Sequence, residues 1–126
     1  HHTCSQEAST VYLAYHQPYS LEQHHDLIAR CVAPGKAVQA THTVLGQTLD
    51  GRDMDMLTLG SGKRKLWLIG RQHPGETMAS YFFEGFLDRL TDPTDSASAK
   101  LLRDATVFCV PVRIPFSKHS EFTQTD

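Results

Sequence analysis

Little in this 126-residue chain is present in excess, and its shortages narrow its class. Cysteine is scarce. Cys4, Cys31 and Cys109 are an odd, widely spaced set with no Cys-x-x-Cys. That spacing argues against a disulfide framework and fits reduced thiols. Cys31 closes a helical pattern and Cys109 sits in a strand pattern, so both read as small buried hydrophobes, with no neighbouring base to make either a nucleophile. Long apolar runs are missing, so nothing approaches the roughly 18 residues of a membrane span. No signal peptide is visible. Neither charge dominates: a net charge of -2 and a pI near 6.5 give no electrostatic reason to expect nucleic acid or membrane as a partner. Repeats and low-complexity stretches are absent. The chain begins at His1-His2 rather than Met, so a natural N-terminus is not shown. The 40% hydrophobic content is low but sufficient for one core, and the length allows one domain at most.

The elements alternate. Residues 10–15 form a short strand candidate. Residues 20–31 read as a helix: Ser20 and Gln23 make a capping-box pattern, and Leu21, Leu27, Ile28 and Cys31 share a face. Pro34-Gly35 ends it. Residues 37–45 and 54–59 are strands joined through Asp50-Gly51, a hairpin-type signal within a longer loop. Ser61-Gly62-Lys63 is a second turn. Residues 65–70 are nearly all apolar, the composition of a central strand covered on both faces. Residues 77–90 repeat Ala79, Phe82, Phe83, Phe86, Leu87 and Leu90 along one helix stripe. Residues 91–98 read as a loop, 100–103 as a short helical piece and 106–110 as a buried strand. This order predicts an α/β domain with a layered mixed sheet and helices on both faces. The strands at 65–70 and 106–110 should run parallel through a crossover.

Between the apolar strand and the following helix lies Arg71-Gln72-His73-Pro74-Gly75-Glu76. A strand-to-helix junction is where α/β folds place sites. His73 and Glu76 are three positions apart and are residue types that zinc takes in hydrolytic sites. Pro74-Gly75 between them can turn the backbone so that both side chains converge, since proline fixes one φ and glycine permits φ values other residues avoid. The competing reading is structural: Glu76 faces the positive end of the helix dipole and His73 is an exposed loop residue. Spacing alone leaves the two readings level. Arg71 is open between a surface salt bridge and support of the site. His16, His24 and His25 read as solvated or locally hydrogen-bonded, and His42 as facing solvent or packing at a sheet edge.

Residues 71–77, Arg-Gln-His-Pro-Gly-Glu-Thr, resemble a recurrent string of the funnelin-type zinc carboxypeptidases, most closely their cytosolic carboxypeptidase branch. The flanks agree: Tyr12-Leu13-Ala14-Tyr15 with Pro18-Tyr19-Ser20, residues 51–60, Glu84-Gly85-Phe86-Leu87, and Phe108-Cys109-Val110-Pro111. The likeness covers about residues 11–111. It implies three parts: a preceding segment or linker at 1–19, the N-terminal part of the catalytic domain at 20–111, and a divergent polar tail at 112–126. After Pro111 the branch continues with Asn-Pro-Asp-Gly, whereas this chain reads Val112-Arg113-Ile114-Pro115.

The resemblance implies one Zn2+ per complete site, with His73 and Glu76 as its first two ligands. The family's third ligand, its carboxylate-clamping arginines and its general-base Glu correspond to no position here. His119 is the only histidine after Glu76, and the family's third ligand lies much further on. The implied activity is metallocarboxypeptidase hydrolysis of C-terminal or side-chain-linked residues, typically glutamates, from peptides and protein tails such as those of tubulin, in the cytoplasm. Two alternatives stand beside it. One is an inactive truncated isoform or binding module, favoured for this polypeptide by the loss of pattern after Pro111. The other is a related zinc deacylase, disfavoured because that group carries His-Gly-Asn-Glu here. The chain alone is expected to be inactive, with apolar surface left bare.

Overall fold

Ser20 opens the first helix in the computed structural model of the chain, which describes residues 13–112. Its side chain accepts the Gln23 N–H at 3.1 Å, and the Gln23 side chain accepts the Ser20 N–H at 2.8 Å. This reciprocal cap satisfies two donors at the start of α1 (Leu21–Val32). The chain then forms β1 (Thr41–Gln47), β2 (Asp53–Leu59), β3 (Arg64–Ile69), α2 (Thr77–Leu90), α3 (Ser96–Asp104) and β4 (Ala105–Val110). Gly51, at φ 71°, takes the left-handed conformation that the β1–β2 connection needs.

The strands make one mixed sheet in the order β1-β2-β4-β3. β1 and β2 are antiparallel, as are β2 and β4, while β3 and β4 run parallel with Trp67 opposite Phe108. Successive strand side chains alternate between faces. Leu57, Leu59, Val107 and Cys109 therefore share one face. There they meet Leu27, Ile28 and Cys31 of α1 and Phe83, Leu87 and Leu90 of α2, with Leu101 and Leu102 of α3 packed alongside. Each fully buried Leu or Phe in this cluster contributes about 1.5–3 kcal/mol relative to exposure. On the opposite face Trp67 stacks on Phe108 at 4.5 Å between ring centroids, and the covering layer expected there is not among the described residues.

The parallel β3–β4 pair and the bounds of α2 match the sequence expectation; other elements differ. β3 was expected to be central and covered on both faces, yet it lies at the sheet edge with Leu66, Trp67 and Ile69 exposed. Its composition is that of a covered strand, and residues 13–112 give it a neighbour on one side only. The buried face of α2 consists of Thr77, Ser80, Phe83, Leu87 and Leu90. Phe82, expected in the stripe, is 55% exposed and stacks on Phe86 instead, because the apolar arc is wider than the face that meets the sheet. α3 begins at Ser96, inside the stretch read as loop, because the Asp95 side chain accepts the N–H groups of Ala97 and Ser98. Asp, Ser and Thr serve loops and N-caps alike. Of the strand expected at 10–15, the described residues 13–15 are not strand; residues 10–12, Cys4 and the polar tail from 113 onward lie outside the described residues.

Candidate functional site

The loop 71–76 leaves the end of β3 beside β4, where the Gly70 N–H donates to the Val110 carbonyl at 3.0 Å. Gly70 is needed here, since a Cβ would lie 2.4 Å from the Phe83 ring of α2. The next residue, Arg71, has φ 42°, a left-handed conformation that costs a non-glycine residue on the order of 1 kcal/mol. The turn then closes with the Glu76 N–H donating to the His73 carbonyl at 3.1 Å. Pro74 and Gly75 are its central residues. Gly75 does not take a left-handed φ, so the freedom expected of it is used at Arg71 instead.

The structure brings His73 and Glu76 together. His73 Nδ1 lies 2.8 Å from Glu76 Oε1, and the His73 N–H donates to Glu76 Oε2 at 3.3 Å. Glu76 is the N-cap residue of α2, yet its side chain makes no cap hydrogen bond. Its place at the N-cap still sets it at the positive end of the helix dipole, as the structural reading expects. The hydrogen bond from the His73 side chain holds the Glu76 carboxyl below the usual carboxylate range. Both side chains remain open to solvent. A cleft of about 690 Å³ lies beside Glu76, between residues 13–16 and the start of α2, and is lined by Tyr15, His16, Glu76 and Met78 among others.

Arg71 is not a surface residue. It is 2% exposed, and its guanidinium donates through Nε and Nη2 to the Pro74 carbonyl and through Nη1 to the Tyr19 carbonyl. Burial pulls its pKa below the ordinary arginine value.

A second polar group was missed by sequence reasoning. His24, expected to be solvated or locally bonded, is 2% exposed. Its Nε2 lies 2.9 Å from Asp55 Oδ2, and His42 Nε2 lies 2.7 Å from Asp55 Oδ1. Burial lowers the His24 pKa, and the Asp55 bond opposes that shift without overcoming it. The only sequence signal was Asp55 itself, an acidic residue between the strand apolars Met54 and Met56. Among the described residues no group of three or more His, Cys, Asp or Glu converges as a metal site. His119, weighed as a third donor, lies outside them. Cys31 and Cys109 are buried, and burial raises both thiols, that of Cys109 to about 12. Neither is an activated nucleophile. No helix among these residues is long and apolar enough to cross a membrane.

A family profile described as Zinc carboxypeptidase matches residues 35–115. An uncharacterised protein of Zymomonas mobilis is 54% identical over 101 residues, covering 80% of this chain and 26% of that protein. Cytosolic carboxypeptidase 6 of Mus musculus is 36% identical over 72 residues, covering 51% of this chain and 13% of that protein. Among solved structures, a metallo-carboxypeptidase from Burkholderia cenocepacia superposes with TM-score 0.71 at 38% identity, over 78% of this chain and 27% of that one. A metallo-carboxypeptidase from Pseudomonas aeruginosa, in complex with (2-guanidinoethylmercapto)succinic acid, gives TM-score 0.67 at 36% identity, over 78% and 26%. The chain thus spans about a quarter of the length of several of the proteins it matches.

Proposed function

Because this chain belongs to the zinc carboxypeptidase family, we propose that residues 20–111 are the N-terminal part of a metallocarboxypeptidase catalytic domain and that His73 and Glu76 are two of its zinc ligands. The reaction is hydrolysis of C-terminal or side-chain-linked residues, glutamates foremost, from peptides and protein tails such as those of tubulin. The likeness of residues 71–77 to the cytosolic branch, and relatives bearing the cytosolic carboxypeptidase name, support that substrate class and a cytoplasmic setting.

One observation carries the metal assignment. The carboxylate of a helix N-cap residue makes no cap hydrogen bond and instead meets an imidazole nitrogen at 2.8 Å in the open. One imidazole nitrogen and one carboxylate oxygen fit zinc in kind and fall one short of the three donors of a catalytic site. Zinc, when bound, supplies Lewis-acid polarisation of a carbonyl and lowers the pKa of a water. The chain's own part is to hold those two donors together at the solvent-facing end of β3. No third donor joins them among the described residues, and on this reading the 126-residue chain alone is expected to be inactive.

Calorimetric zinc titration of the wild-type chain against His73→Ala and Glu76→Ala tests the assignment. Binding lost in both variants supports it. Equal binding in all three proteins would move the metal elsewhere, for example to His1-His2, and end it.

A further inference from the structure

We infer that Arg71 is a positioning residue that sets the separation of the His73 and Glu76 donor atoms; the role in metal binding rests on the zinc reading above. The chemistry of the loop is exposed, yet its first residue is buried. His73 and Glu76 side chains are 74% and 47% exposed, whereas Arg71 is 2% exposed. A buried guanidinium on a solvent-facing loop needs fixed acceptors, and here two backbone carbonyls are among them. Nε and Nη2 close on Pro74 O at 3.2 and 3.0 Å, and Nη1 reaches Tyr19 O at 3.0 Å.

Each acceptor has a consequence. Pro74 lies between the two donor residues, so pinning its carbonyl fixes the turn that joins them. Tyr19 belongs to a strap that is itself tied to α2. The Tyr81 hydroxyl donates to the Pro18 carbonyl at 2.7 Å, and the Tyr19 hydroxyl donates to Glu84 at 3.1 Å. The two tyrosine rings meet edge to face. Arg71 thereby references the turn to the helix that Glu76 caps. The left-handed φ of Arg71 is the backbone cost of turning the side chain inward, and it is borne at this position although Gly70 precedes it and Gly75 follows. The fork also explains why arginine stands here. Its planar donors reach two carbonyls at once, which a lysine ammonium on a flexible stem does not reproduce.

Arg71→Lys and Arg71→Gln in the full chain test this, with folding checked by circular dichroism and zinc affinity by calorimetry. Val107→Ala serves as a core-destabilised control away from the loop. A folded Arg71 variant should bind zinc at least about tenfold more weakly, the scale of outer partners that orient ligands, while Val107→Ala binds as wild type. Unchanged affinity in the Arg71 variants, an equal loss in Val107→Ala, or loss of fold in both Arg71 variants would overturn the assignment. If wild type binds no zinc, the metal reading fails by itself. The positioning role is then read from amide exchange at His73 and Glu76, which should accelerate at least about tenfold in Arg71→Lys while the amides of α2 beyond its first turn stay protected. Exchange unchanged at those two amides would overturn it.

Discussion

His24 Nε2 and Asp55 Oδ2 lie 2.9 Å apart, both side chains almost wholly buried. The other oxygen of the same carboxylate meets His42 Nε2 at 2.7 Å. One side chain of β2 therefore ties α1 to β1. Its removal strands a buried imidazole whose Nδ1 already lacks a protein partner. Asp55→Ala should cost about 1.5–3 kcal/mol, the range for hydrogen bonds to a charged group, measured as a shift in the urea midpoint. A loss under about 0.5 kcal/mol would mean that water replaces the carboxylate freely.

The same pair makes stability depend on pH. Burial holds the His24 pKa below its ordinary value of 6.5. The unfolded chain takes up that proton near 6.5, and the folded chain only at lower pH. The folded state thus binds fewer protons in this window, and stability falls as pH drops below about 6.5. Urea midpoints at pH 7.5 and 5.5 should differ in that direction, and His24→Gln should reduce the difference. An unchanged slope in His24→Gln would assign the effect to other groups.

The isolated chain should release no C-terminal glutamate from peptide substrates, with or without zinc. Chelator-sensitive release by the purified chain would refute this. In a longer protein containing this segment, His73→Ala and Glu76→Ala should each lower kcat/KM by more than about a hundredfold, since outer partners of ligands alone cost 10–100-fold.

Trp67 is the single tryptophan of the chain and is 56% exposed on β3. Its fluorescence should be red-shifted and readily quenched by acrylamide. Exposed Leu66, Trp67, Ile69 and Phe82 should bind an apolar dye and promote association. A monomer that binds no dye and shields Trp67 from quencher would contradict the exposed sheet edge.

Local order was legible from the sequence because its causes are local. The Ser20–Gln23 cap and the bounds of α2 follow from side chains within one or two turns of the backbone they control. The parallel pairing of β3 and β4 followed from the crossover between two apolar runs. The convergence of His73 and Glu76 was also foreseeable, since both lie in one six-residue loop, although the glycine conformation credited for it was not the one used. The tertiary structure decided what depends on distant partners. Asp55 meets His24 across 31 residues and His42 across 13, separations at which no periodicity signals contact. Arg71 is buried because Tyr19, 52 positions earlier, offers it a carbonyl. The apolar composition of β3 records a strand suited to cover, but exposure depends on what packs against it, and that is a property of the assembled layers rather than of six residues.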